Sequence, residues 1–492
     1  MAQAVAEGPR GTGWPSGGLS ISTLSSGGRA WFEGPPSESD AADSVLRRLA
    51  FGSNVDANDP RHDLAAGQSE TAIAAAGSTV VVAWNDASGF FVAPSTRRRA
   101  SITGLGVSTD GGRTFRDLHG LRNTNPSAQW FGDPTIAKID AHHFVIGSLY
   151  LPSNKVNCRT NKNGRLQLAV QLLTVRATGR MLLGRPIVAA NGGNFCTLYN
   201  RDPSDDQPDL AFLDKEWLSY DRASRELVMS YTRFFFGVNG QSGTGQIEAV
   251  RARLPRDPAA LTSADWSRRI VIWPEERRII NQGSYVAVAP GGDAYVSWER
   301  NVQPFSFAGD PHGYIHVARV RAGDRGPVVG GPLRPRVASL GQRNSSPRGG
   351  VKSLGLVDIA GYNRQYGQDF PRIAINAPLG KVMLVWNDAS SHPLGDIWLR
   401  ALPMDLTISG RIRKVNDDAS YALHFLPAVS VRQDGSTSVS WYDRRLGGPN
   451  STKTDYFGEV RAKPSSRGRR LPYHHWFYEL AQHFLSQHTE LR

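Results

Sequence analysis

The sequence predicts an all-β propeller of six blades, and three observations predict it. Apolar residues alternate with period two over short runs, as in 79–84, 294–298 and 381–386. One hairpin phrase recurs along the chain: a polar cluster, an alternating strand, a Gly- or Asp-containing turn, and a second strand ending in an aromatic and a polar residue. The chain has 492 residues, more than the roughly 100–200 of a common domain. Stacked repeats reach that size because each unit builds core only against its neighbours.

Blade one opens at Gln68-Ser69-Glu70-Thr71 and reaches Trp84-Asn85-Asp86. Blade two opens at Phe131-Gly132-Asp133-Pro134 and reaches Ser148-Leu149-Tyr150. Blade three runs from Leu213-Asp214-Lys215-Glu216-Trp217 to Ser230-Tyr231-Thr232-Arg233. Blade four runs from Asn281-Gln282-Gly283-Ser284 to Ser297-Trp298-Glu299-Arg300. Blade five opens at Gln368-Asp369-Phe370-Pro371-Arg372 and reaches Trp386-Asn387-Asp388. Blade six opens at His424-Phe425-Leu426-Pro427 and reaches Trp441-Tyr442-Asp443-Arg444-Arg445. The propeller is thereby bounded at 61–465. Residues 1–60 read as a low-complexity, disordered leader. Residues 466–492 read as a basic linker and an amphipathic helix, with Trp476, Leu480, Phe484 and Leu485 at helical spacing. The 51 glycines and 30 prolines suit many turns between short strands.

The net charge of +13 favours anionic partners. The basic residues are spread out, however, and no recognition helix, RNP-like phrase or finger accompanies them, so nucleic acid is not the expected partner. No run approaches the roughly 18 apolar residues of a membrane span, and no signal peptide is visible. With only Cys158 and Cys196, one disulfide across an insertion and two buried thiols both fit. No metal motif, P-loop or serine-hydrolase elbow is present, and no cofactor is expected.

Ser108-Thr109-Asp110-Gly111-Gly112-Arg113-Thr114-Phe115 forms an Asp-box, S-x-D-G-G-x-T-F/W. Its Asp is placed to accept N–H bonds across a tight turn whose glycines take positive φ. On this motif, with Asp214-Lys215-Glu216-Trp217 and Trp441-Tyr442-Asp443-Arg444-Arg445, the chain resembles bacterial members of the sialidase-like Asp-box (BNR) repeat superfamily. The resemblance implies a monomeric glycan-active propeller at the cell envelope or outside it, with the Asp-box itself peripheral and structural.

In a four-strand meander, the start of the innermost strand and the end of the second meet on one face. All the repeated clusters should therefore converge on one funnel mouth, the default place for a binding site. The candidate catalytic residues there are Asp86, Asp133, Glu216, Tyr231, Glu299 and Tyr442. The candidate substrate-binding residues are Arg233, Arg300, Arg372, Arg444, Asp369 and Trp298, with Glu70, Lys215 and Arg445 close in the pattern. A sialidase would use three arginines to clamp a substrate carboxylate, a Tyr–Glu pair as nucleophile and an Asp as acid. Sialidases carry an arginine at the start of the first blade, in an (F/Y)-R-I-P phrase. Here blade one reads Gln68-Ser69-Glu70-Thr71, and the look-alike Phe370-Pro371-Arg372-Ile373 belongs to blade five. The expected ligand is a carbohydrate, anionic glycans included, and the protein hydrolyses or binds it. The alternatives are a non-catalytic propeller that binds glycan or protein, and a polysaccharide lyase whose base would be Tyr231 beside Arg233, or His424.

Overall fold

The computed structural model describes residues 55–59, 68–90, 101–123, 128–152, 165–194, 211–235, 244–276, 279–302, 313–323, 336–339, 370–388, 394–418, 422–445 and 455–461. Asp369, Cys158, Cys196, the leader before residue 55 and the C-terminal segment 466–492 lie outside the described residues.

The chain is an all-β propeller. Its described strands form six antiparallel sheets in chain order. The first holds β1 (Gln68–Ala76), β2 (Thr79–Asp86), β3 (Thr103–Ser108) and β4 (Arg116–Asp117). The second holds β5 (Gln129–Trp130), β6 (Thr135–Lys138), β7 (His143–Leu151), β8 (Arg165–Val175), β9 (Met181–Leu183) and β10 (Ile187–Asn194). The third is β11 (Ala211–Asp221), β12 (Glu226–Phe235), β13 (Thr244–Arg253) and β14 (Ile270–Trp273). The fourth is β15 (Ile279–Val288), β16 (Ala294–Val302), β17 (Gly313–Val320) and β18 (Arg336–Ser339). The fifth is β19 (Arg372–Asn376), β20 (Lys381–Asp388), β21 (Asp396–Pro403) and β22 (Arg413–Lys414). These five have four strands or more. The last sheet has three described strands, β23 (His424–Val431), β24 (Thr437–Asp443) and β25 (Asp455–Arg461). The inner strands pack in chain order: β1 on β6, β6 on β11, β11 on β15, β15 on β19 and β19 on β23.

Alternation explains why the blades stack. On β20, Val382, Leu384 and Trp386 enter the core shared with the fourth sheet, and Met383 and Val385 enter the core shared with the sixth. On β12, Leu227, Met229 and Tyr231 face the second sheet, while Val228 faces the fourth. Successive side chains leave opposite faces of a strand, so a blade buried on both faces needs apolar groups in both registers. The repeated tryptophans 84, 298, 386 and 441 all lie in these cores between or against sheets.

The polar openings of the inner strands are bulges. Register shifts fall between Ser69 and Ala72, Asp214 and Trp217, Gln282 and Tyr285, and Phe425 and Ala428. Each bulge holds one residue at positive φ: Glu70 at 51°, Lys215 at 54°, Gly283 at 66° and Leu426 at 49°. Asp133, at 55°, takes the same place before β6. Bulges re-aim side chains, and positive φ at non-glycine residues is costly and concentrates at functional sites. At Gly283 the glycine is required twice, by its φ and because the Phe370 ring occupies the space a Cβ would fill.

The segment Ser108–Phe115 lies between β3 and β4. Asp110 Oδ1 accepts the backbone N–H groups of Arg113 and Thr114, both at 3.0 Å, and Oδ2 accepts the Thr114 hydroxyl at 2.7 Å. Gly111 and Gly112 have φ of 78° and 86°. Phe115 packs on Val80, Val82 and Trp84. The motif is a turn device at the outer edge of its sheet.

Candidate functional site

Two bulges and the lead-in to the fifth sheet meet at the funnel mouth. Lys215 Nζ, from the third sheet, lies 2.9 Å from Glu70 Oε1 of the first sheet. It also lies 6.0 Å from the centre of the Phe370 ring, which precedes the fifth sheet. One ammonium of the third sheet thus reaches the first sheet and the lead-in to the fifth, which places it near the propeller axis. The pair is largely shielded, with side-chain exposures of 18% for Lys215 and 10% for Glu70.

Asn85, at the end of β2, joins the second sheet to this pair. Its Nδ2 donates to Glu70 Oε2 at 3.2 Å and to Asp133 Oδ1 at 3.4 Å, while its Oδ1 accepts the Asp133 backbone N–H at 2.6 Å. Two carboxylates from neighbouring sheets therefore share one amide nitrogen.

Glu216 follows Lys215 on the same bulge and is 3% exposed. Neither carboxyl oxygen has a side-chain partner. Burial pushes this carboxyl well above its usual range. The charge of Asp214 adds to the rise, while the residue's own amide and Lys215 oppose it. Burial thus favours the protonated form of Glu216 over its carboxylate.

The remaining candidates are dispersed. Asp86 caps the turn after β2, accepting the Ser88 backbone N–H at 3.0 Å and the Ser88 hydroxyl. Glu299 is buried, one residue after Trp298, in the place that Asn85 holds after Trp84. Tyr442 is half-buried and stacks on Phe425 at 5.6 Å. Trp298 is fully buried: it stacks on His316 at 5.3 Å, and its indole N–H donates to Asn281. It belongs to the core between the third and fourth sheets rather than to the mouth, because its register points it across the blade.

The four arginines are held by different groups. Arg233 pairs with Glu248 at 2.9 Å. Arg300 grips Glu276 through Nε and Nη2 at 2.8 and 3.0 Å. The Arg372 guanidinium lies 4.8 Å from the Tyr285 ring centre. Arg444 lies 5.5 Å from the Phe425 ring, and burial lowers its pKa. Tyr231 is fully buried beside Arg233; burial and the charge of Glu248 push its phenol well above the usual range, against Arg233. His424 is fully buried too. Its Nδ1 meets the Gly395 carbonyl at 2.9 Å, and its Nε2 lies 3.0 Å from Asp418 and 3.4 Å from Asp443. Asp443 also accepts from Trp441 and Arg445, closing a network between the fifth and sixth sheets.

Sequence reasoning passed over Asn85, Phe370, Glu248 and Glu276. Asn85 had a signal: Trp84-Asn85-Asp86 repeats as Trp386-Asn387-Asp388, and Asn387 Oδ1 accepts the Leu426 backbone N–H at 3.2 Å just as Asn85 accepts that of Asp133. The asparagine clips the next sheet's bulge. Among the described residues no cluster of His, Cys, Asp and Glu is arranged to hold a metal ion, and no helix is long and apolar enough to cross a membrane.

No protein-family model and no curated protein matches this chain. Solved structures are similar in fold. An α-L-arabinofuranosidase of Fusarium graminearum in complex with arabinobiose aligns at 12% identity and a TM-score of 0.42, over 80% of this chain and 92% of that one. An α-L-arabinanase of Penicillium chrysogenum aligns at 10% identity and 0.41, over 80% and 93%. A polysaccharide lyase aligns at 9% identity and 0.42, over 79% and 76%. Likenesses of this degree assign no residue a role.

Proposed function

We propose that the protein is a glycan-active, six-bladed propeller of sialidase-like type that hydrolyses a glycosidic bond at its funnel mouth. The observation that carries the reading is the grouping of Glu70, Asp133 and Lys215 at the starts of three inner strands, with the buried Glu216, its pKa raised, next in sequence to Lys215. Paired-carboxylate hydrolysis needs one acid that holds its proton at neutral pH and one carboxylate that does not. Glu216 fills the first role as proton donor to the leaving oxygen. Asp133, clamped by Asn85, fills the second. Lys215 and Glu70 orient sugar hydroxyls, and Phe370 offers a ring for a sugar face to rest on.

A Tyr–Glu nucleophile with a three-arginine clamp is less supported, because Arg300 is committed to Glu276 and Arg233 opens into a separate cleft. The second reading is a propeller that binds glycan without cleaving it. The Glu70–Lys215 pair favours it, because such a tie between sheets also serves a scaffold.

Purified protein on a panel of chromogenic glycosides, an α-L-arabinofuranoside and a sialoside included, separates the two. Turnover that falls by about 10²–10⁴ in Glu216→Gln supports acid catalysis, and loss in Asp133→Asn supports the second carboxylate. No turnover by wild type on any glycoside, with glycan binding retained, supports the binding propeller.

A further inference from the structure

Away from the axis, the described residues line an open cavity of about 450 Å³ in the cleft between the second and third sheets. Its walls come from β10, the edge strand of the second sheet, from β12 and β13, and from the segment 267–269. The inner strands β6 and β11 do not line it. Tyr231 and Arg233, placed by their sequence pattern at the funnel mouth, open here instead.

We propose that this cavity binds the carboxylate of a small polar ligand, a sugar acid being the natural fit, at a site separate from the funnel mouth. Charge is the first argument. Arg233, Arg268 and Arg269 line the space, and Glu248 is the carboxylate set against them. Glu248 Oε1 takes Arg233 Nε at 2.9 Å and Gln246 Nε2 at 2.6 Å, and lies 3.7 Å from Arg269 Nη1. One carboxylate thus orders two guanidinium groups and leaves the cavity net positive. Arg233 is further fixed by its Nη2 donating to the Asn191 carbonyl at 3.1 Å.

Tyr231 is the second argument. Its side chain is fully buried yet lines the cavity, and its hydroxyl lies beside Glu248 and Arg233 without a well-aligned hydrogen bond to either. Buried hydroxyls normally make a well-aligned hydrogen bond, and a ligand oxygen in the cavity would supply one. Guanidinium groups bind carboxylate and phosphate alike through paired N–H bonds. The size of the space decides between them, because a free phosphate leaves most of it unfilled whereas the body of a sugar acid contacts its walls. A cavity of this size falls within the about 300–1,000 Å³ of small-molecule sites.

The test is a calorimetric titration of the full-length protein with glucuronate, glucose and inorganic phosphate. Wild type is expected to bind glucuronate, not to bind glucose measurably, and to bind phosphate more weakly. The double variant Arg268→Gln, Arg269→Gln changes exposed termini of the cavity wall and should lower glucuronate affinity by roughly tenfold or more, the scale of charge-assisted hydrogen bonds. Tyr231→Phe should lower it several-fold and keep the ring packing. Lys215→Met, at the funnel mouth, should leave it unchanged, so this outcome is independent of any hydrolysis there. The proposal is overturned if wild type ignores glucuronate, if glucose or phosphate binds as tightly, if the arginine pair makes no difference, or if Lys215→Met abolishes the binding.

Discussion

At the scale of single residues, two buried groups set opposite pH dependences. Glu216 keeps its proton in the folded state, where an unfolded glutamate loses it near 4.5. Its contribution to stability is complete below that value and is lost as pH rises toward the raised folded pKa. Glu216→Gln mimics the protonated acid, so urea unfolding should show the variant gaining on wild type as pH climbs from 4 to 8; a constant difference would refute the assignment. His316 is the reverse case. Burial first, then the charge of Arg300, lowers its pKa from 6.5 to about 4, with Glu276 opposing. The folded imidazole stays neutral while the unfolded one charges, so stability falls as pH drops from 6.5 toward 4. The full shift corresponds to about 3 kcal/mol. His316→Phe keeps a ring against Trp298 and Trp273, and should remove much of that acid sensitivity in unfolding measured at pH 7 and pH 4.5.

At the scale of elements, the inner-strand bulges and the asparagine clips act together. Asn387 accepts the N–H of Leu426, a residue held at φ 49°. Asn387→Ala leaves that buried donor unmatched in a conformation that costs free energy, and should destabilise the protein by about 1–3 kcal/mol. Chemical denaturation checks this, with Asn387→Asp as the variant that restores an acceptor. The segment Ser108–Phe115 behaves as a local turn. Asp110 is half-buried, and its bonds to Thr114 and Ser108 hold its carboxyl far below the usual range. Asp110→Ala should speed hydrogen exchange at the amides of Arg113 and Thr114 and leave exchange on β12 and β16 unchanged.

At the scale of the molecule, the Glu70–Lys215 pair links the first sheet to the third across the mouth. Removing one partner leaves a shielded charge unmatched, so Lys215→Met should cost about 1–3 kcal/mol. Removing both should cost less than the two single changes added, and a double-mutant cycle with Glu70→Gln measures that coupling. Additive effects would mean that the ammonium and carboxylate do not sense each other in solution.

The sequence by itself determined the all-β class, the order of the repeated hairpins and the structural part played by Ser108–Phe115, because strand alternation and turn chemistry are local. It also marked Glu70, Asp133, Lys215 and Glu216 as members of the repeated openings. Only the tertiary structure decided which of them meet. Convergence depends on how sheets pack and on bulges that turn single residues to positive φ, and neither leaves a mark within one strand. The same physics separated the arginines and sent Tyr231 and Arg233 into a cleft between sheets: a residue's place along a strand sets its height in the blade, while the neighbouring blade decides what it faces.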